Sequence, residues 1–348
     1  MFKICRIIYI LSLCLFPIIK CSATENSLNL YTFANELPIS VVQQFEKETG
    51  IKVNFTTYDD NETMYAKLKA SNNAGYDIVM PSSYYIDRMS SEGMLIKLDK
   101  TKLVHFDNLD PEFLHLAYDP NNDYALPYIW SVTGIYVNKK YFDPNSIHSW
   151  KDFWQKKFYN QISLLDDPRE VFSMSLISLG YSANDEDPQH IAQAYLHLKN
   201  LLPNIKLFNN DAIPSIFIDE DVTIGMAWNG NIYRAQQENP HLVYIFPEDG
   251  FVIWVDNFAI PKNAPHLANA YKFLNFILRP EEAKQVTIQY GYGTTNLAAR
   301  NLLPKEIREN TVIFPSAEIL KRGQFQKNVN DQALALYAKY WELLKIGI

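Results

Sequence analysis

The sequence predicts an α/β protein of two lobes, each a mixed sheet flanked by helices, with a ligand cleft between them. Three features carry that prediction. Strand and helix patterns alternate from Leu28 to Met80, the alternation resumes after an apolar stretch at Ala125–Val137, and a second apolar stretch, Gly250–Ile260, alternates like a strand able to cross back. The 348 residues suffice for two domains, each with its own core. Two strands crossing between lobes leave a cleft that closes by hinge motion. The expected division is a leader at 1–23, then 24–132 with 255–300 as one lobe, and 133–254 with 301–348 as the other.

The leader has Lys3 and Arg6 ahead of an apolar run, Ile7–Ile19, and then Cys21-Ser-Ala23 before a polar start. This is the layout of a cleavable signal peptide. A membrane anchor fits less well, because the run falls short of the roughly 18 apolar residues that span a bilayer and Pro17 interrupts it. All three cysteines lie in the leader, so the exported chain would hold no disulfide. Lipid attachment at Cys21 is the weaker alternative, since Lys20 stands where a small residue is wanted. Without the leader's three basic residues the chain has 29 basic and 39 acidic residues, a net charge of −10. That balance argues against nucleic acid and favours cationic ligands.

In chain order, Leu28–Thr32 reads as a strand, Ser40–Glu48 as a helix stopped by Gly50, Ile51–Thr57 as a strand, Asn61–Ala70 as a capped helix and Tyr76–Met80 as a buried strand. This order implies a parallel sheet, and Pro81–Tyr85 lies at its ligand-bearing end, ahead of a helix that stops at Gly93. In the second lobe a helix is expected from Ser149, a strand at Ile162, helices reaching Leu179 and spanning Asp187–Leu202, and a strand at Ile205–Phe208. Thr223–Gly230 reads as a strand ending in an aromatic and an amide, Ala268–Leu278 and Glu281–Tyr290 as helices, and Asp331–Leu344 as an amphipathic closing helix.

The junction Ile162–Phe172 holds the most chemistry. A buried strand discharges into Asp166, Asp167, Pro168 and Glu170 before a helical pattern begins. Asp167 suits the N-cap, Pro168 the first helical position, and Glu170 the third position of a capping box. The same carboxylates would also face a cleft at the carboxyl end of a strand, where a cation could sit. Phe33, Tyr84, Trp228, Trp254 and Tyr292 follow or end regular segments, and Asp256 shares a strand face with Trp254. Singly, such aromatics are packing residues; together with Asp167, Glu170 and Asp256 they offer carboxylates for ammonium ends and ring faces for methylenes. Phosphate-loop, nucleophile-elbow and zinc-protease motifs are absent, Gly291-Tyr-Gly293 does not continue as a dinucleotide loop, and the seven histidines are scattered. No cofactor and no metal are expected.

Lys47–Val53, Asn61–Lys69, Asp119–Tyr124, Arg169–Phe172 and Asn296–Arg300 closely resemble the periplasmic spermidine/putrescine-binding proteins of bacterial polyamine ABC importers, and the likeness runs from about Leu28 to Gly347. The resemblance implies a type II periplasmic binding protein fold, a periplasmic monomer that binds spermidine and putrescine, and delivery to a membrane permease. It places amine-binding acids at Asp167, Glu170 and Asp256, aromatic walls at Tyr84, Trp228, Trp254 and Tyr292, and polar contacts at Ser82, Asn210 and Gln326. The first strand end departs from the family's Trp-Thr-x-Tyr, reading Phe33-Ala34-Asn35-Glu36. Phe33 keeps an aromatic face, and Glu36 either supplies a fourth acid or turns to solvent. The alternatives are a receptor for another small cationic solute and a secreted hydrolase using Asp167 and Glu170, although residues three apart at a helix start are poorly placed across a scissile bond.

Overall fold

The computed structural model describes residues 26–210 and 213–346; the leader and its cysteines lie outside them. The first lobe begins with strand β1 (Ser27–Phe33), helix α1 (Ile39–Thr49), β2 (Lys52–Tyr58), α2 (Asn61–Ala70), β3 (Ile78–Val79) and α3 (Ser83–Ser91). Gly50 ends α1 in the left-handed region (φ 68°), its N–H donating to Glu46 O at 2.8 Å. Only a residue without Cβ takes that conformation at no cost. The three strands form a parallel sheet in the order β2-β1-β3, as the alternation predicted.

β4 (Leu126–Asn138) is buried at all thirteen positions. A strand covered on both faces reads as a continuous apolar run, which is why its sequence lacks polar alternation. Its first half pairs with β9 (Phe251–Phe258), from Leu126 opposite Phe258 to Val132 opposite Ile253. From Thr133 onward it pairs instead with β7 (Ile224–Trp228) and β8 (Leu242–Ile245). The last part of β9 and the residue after it meet the first lobe, where Ser82 bridges Asp256 and Val79 bridges Ala259. The protein thus has a two-lobe α/β architecture in which β9 links the large sheet to the three-stranded one.

The second lobe adds β5 (Ile162–Leu164), α4 (Pro168–Ser178), α5 (Pro188–Leu201), β6 (Ile205–Phe208), α6 (Ile213–Ile218) and α7 (Asn229–Gln236). The chain continues through α8 (Leu267–Ile277), α9 (Pro280–Tyr290), β10 (Gly293–Thr294), α10 (Leu297–Asn301), α11 (Lys305–Arg308), α12 (Ala317–Leu320), β11 (Gly323–Phe325) and α13 (Asp331–Lys345). The large sheet runs β11-β9-β4-β7-β5-β6, with β8 and β10 pairing on β4.

The expected helix from Ser149 is instead two 3-10 turns, Trp150–Trp154 and Lys156–Phe158. Ser149 and Asp152 do form the capping box. Trp150, Phe153 and Phe158 are then each fully buried, and Trp150 Nε1 donates to Gly250 O at 2.8 Å, so packing overrides helical propensity.

Candidate functional site

The cleft, with the solvent at its mouth, takes up about 910 Å³ and is lined from both lobes. Every residue singled out in the sequence reaches it: Phe33, Glu36, Ser82, Tyr84, Asp167, Glu170, Asn210, Trp228, Trp254, Asp256, Tyr292 and Gln326. Six further polar or charged residues join them, namely Asn35, Asp59, Asp60, Asn61, Asn231 and Arg234, together with Ala34 and Tyr58.

At the second-lobe wall, the Ile162–Phe172 junction keeps the Asp167 cap without the capping box. Asp167 caps α4, its Oδ1 accepting from Glu170 N at 3.0 Å, and the same carboxyl borders the cleft. Glu170 does not reciprocate as a capping-box residue; it is 4% exposed, and its Oε2 is buried without a hydrogen-bond partner. Burial and the neighbouring Asp167 push the Glu170 carboxyl up to about 8, against the opposing pull of Thr133, Trp228 and Arg169. Burial also raises Asp167, while the α4 backbone amides of Glu170 and Arg169 hold it down. Asn210 spends its amide on the preceding loop, accepting from Asp166 N at 2.9 Å and donating to Asp166 O at 3.0 Å.

The first-lobe wall is built from strand ends. Asp256, 2% exposed on β9, accepts from Ser82 Oγ at 2.6 Å; Ser82 Oγ in turn accepts from Asn61 Nδ2 at 3.0 Å, and Asn61 also donates to the Tyr84 hydroxyl at 3.1 Å. Burial pushes Asp256 up to about 7, with Ser82 and Glu36 pulling the other way. Glu36 is 8% exposed and so does not turn to solvent. Its carboxyl is raised well above the ordinary range by burial, then by the charge of Asp256 and a hydrogen bond to it.

Aromatic faces connect the two walls. Trp228 meets Trp254 edge to face at 6.0 Å between centroids, Trp254 meets Tyr292 at 5.4 Å, and Phe33 packs on Tyr58 at 4.5 Å. Trp254 sits inside β9 rather than at a strand end, as its sequence position had suggested. Two glycines admit Tyr292. A Cβ on Gly230 would lie 2.6 Å from Tyr292 Cδ1, and Gly291 (φ 76°) approaches Gly230 O so closely that its Cβ would lie 2.7 Å away. Arg169 lies over the Tyr84 ring at 5.2 Å and over Tyr337 at 5.5 Å, so a residue beside the α4 acids also touches the first lobe.

Among the described residues, none of the four cleft acids Glu36, Asp167, Glu170 and Asp256 forms a salt bridge. No group of three or more His, Cys, Asp or Glu side chains among the described residues could hold a metal ion. His190 stacks on Tyr181 and His197 on Trp154. Asp59 and Asp60 carried a signal that the sequence reading passed over. They follow the carboxyl end of a parallel strand, as Asp167 does, and Asp60 caps α2 with Oδ1 accepting from Thr63 N at 2.6 Å. Arg234, in the body of α7, gave no such signal.

The model of the bacterial extracellular solute-binding protein family matches residues 40–315. The chain is 46% identical over 323 residues to the spermidine/putrescine-binding periplasmic protein of Escherichia coli strain K12, covering 93% of this chain and 92% of that one. A solved structure from Listeria monocytogenes superposes with a TM-score of 0.88 at 36% identity, over 92% of this chain and 99% of that one. The substrate-binding protein of a spermidine/putrescine ABC transporter from Streptococcus pneumoniae superposes with a TM-score of 0.79 at 35% identity, over the same shares of the two chains.

Proposed function

The chain belongs to the bacterial extracellular solute-binding protein family, and we propose that it is the periplasmic receptor of a polyamine ABC importer. It binds spermidine, and putrescine, in the interlobe cleft and presents them to the membrane permease. The observation that carries this reading is three buried carboxyls, Glu36, Glu170 and Asp256, and the half-buried Asp167, on both walls of an aromatic cleft, with no basic side chain in salt-bridge distance among the described residues. Buried charges without partners are expensive, so such a site is completed by a cationic ligand. Relatives that bind spermidine and putrescine support the choice among cations.

The residues proposed to hold the ligand are Asp167 and Glu170 at one wall and Asp256 at the other, with Tyr84, Trp228, Trp254, Tyr292 and Phe33 covering its methylenes, and Ser82, Asn210 and Gln326 completing the polar contacts. Because acids on both lobes attract one cation, the ligand binds the closed form better than the open one and shifts the hinge equilibrium toward closure. Catalysis has no part in this role. The lobes divide at 132/133 and 254/255, with 301–348 in the second lobe; the change of β4 partners between Val132 and Thr133 supports that division. Export by cleavage after Ala23, a monomeric state and a periplasmic location complete the proposal, and the periplasmic relatives support the last.

Calorimetric titration with spermidine and then putrescine, after unfolding and refolding to strip any carried ligand, tests the reading. Micromolar or tighter spermidine binding, about −8 kcal/mol or better, is expected. No heat with either amine would overturn it.

A further inference from the structure

Glu36 enters the cleft from a sharp turn after β1. The chain leaves β1 at Phe33 and passes through Asn35 in the left-handed region (φ 60°), which brings Glu36 into the cleft beside Asp256. Asp256 is fixed from the other side by the Ser82 hydroxyl at 2.6 Å, itself fastened by Asn61. Glu36 and Asp256 share a hydrogen bond, and Glu36 Oε2 is left buried without a partner. Carboxylates only accept hydrogen bonds, so two that are bonded to each other hold a proton between them.

We propose that Glu36 and Asp256 act as a carboxyl pair that gives up its shared proton to solvent when an ammonium group of the ligand enters, making Glu36 the specificity-determining residue at this end of the cleft. The inference rests on the polyamine reading. The exchange balances: one carboxylic acid and one carboxylate become two carboxylates, the ammonium keeps its own protons and donates to both, and the displaced proton leaves to the buffer. A hydroxyl or amide end group brings no charge to replace that proton, so it leaves the pair protonated. Discrimination against such ends therefore grows as pH rises.

Glu170 at the other wall, raised to about 8, is common to any Glu36 variant, and the groups around the pair itself are mostly phenols. Tyr58 on β2, Tyr128 on β4, Tyr118 and Tyr292 all face it, and burial raises each phenol, keeping it protonated near neutrality. The Tyr58 hydroxyl is also engaged, donating to Met80 O. Asp59 and Asp60 line the same cleft, and Arg234 on α7 is the cation within it, lying 5.5 Å over the Tyr290 ring. Burial raises both carboxyls, and the neighbouring Asp256 raises Glu36 further, so the pair still holds its proton near neutrality.

The test is a proton inventory. The protein and its Glu36→Gln variant are titrated with spermidine between pH 6 and 8 in phosphate and in Tris, whose ionisation heats differ. Wild type is expected to release about one proton more per spermidine than Glu36→Gln at pH 7, and the ratio of wild-type to variant affinity to rise with pH, by up to about tenfold per unit. Glu36→Ala carries the same expectation if the glutamine variant does not fold. Spermidine binding with equal proton release in wild type and variant would overturn this inference alone; no heat with either spermidine or putrescine would overturn the polyamine reading and this inference with it.

Discussion

Two sets of buried acids in this protein have opposite environments. Asp119, 5% exposed, accepts from the backbone amides of Asp123, Tyr124 and Ala125 at 2.8 to 2.9 Å, and so ties down the turn that feeds β4. Asp77, fully buried, accepts from Asn29 N at 2.7 Å and from His266, whose Nδ1 lies at 3.0 Å. Three of the cleft acids, Glu36, Glu170 and Asp256, are buried too, yet Glu36 and Glu170 each keep an oxygen without a partner. Burial alone therefore does not distinguish a structural carboxyl from a binding one. The partner account does, because a carboxylate supplied with several N–H donors has its charge compensated by the fold, while one without them awaits a charge from outside.

If that contrast is right, substitutions in the two sets fail differently. The largest effect is expected from Asp256→Asn. It should weaken spermidine binding by about 2 to 5 kcal/mol, the usual cost of removing one partner of a buried charge pair, without lowering the melting temperature of the ligand-free protein. Unchanged affinity by calorimetry would remove Asp256 from the site. Asp119→Ala should do the reverse. Stranding three backbone amides at a buried turn should cost about 2 to 4 kcal/mol of folding stability in denaturant melts, while spermidine affinity of the folded protein stays the same. A loss of affinity there would break the contrast.

The expected effect that sharpens the comparison most is in pH. Glu170 is raised to about 8 from an ordinary value of 4.5, chiefly by burial. Its native form holds a proton that the unfolded chain has released, so its stabilising contribution is full below about 4.5 and is lost as pH rises through about 8. The ligand-free melting temperature should fall across that window. Glu170→Gln should flatten the fall, and saturating spermidine should reduce it. A melting temperature that is equally pH-dependent in wild type and Glu170→Gln would count against an uncompensated Glu170.

Much of this was legible in the sequence. The largely apolar run of β4 and the alternating run of β9 announced the crossing strands, and the signal Asp167-Pro168 marked the start of α4 to the residue. The site acids at Asp167, Glu170 and Asp256 stood out by residue type near predicted strand ends, whereas Ser82, Asn210 and Gln326 came only with the family resemblance. Arg234 and Asn231 were not legible, since nothing local tells a cleft-facing side chain on α7 from a solvated one. The 3-10 turns at Trp150–Trp154 and Lys156–Phe158 were missed because burial of Trp150, Phe153 and Phe158 is set by partners distant in the chain.

The sequence by itself determined what depends on near neighbours: strand and helix periods, caps at Asp60 and Asp167, the glycine stop at Gly50, and the excess of acid. Tertiary structure decided what depends on distance between remote segments. It brought Glu36 and Asp256, 220 positions apart in the sequence, into one hydrogen bond, left Glu170 Oε2 without a donor, and turned Glu36 inward rather than to solvent. The physical reason is that hydrogen bonding and capping are satisfied within a few residues, whereas desolvation and charge interaction depend on which chain segments fold against one another.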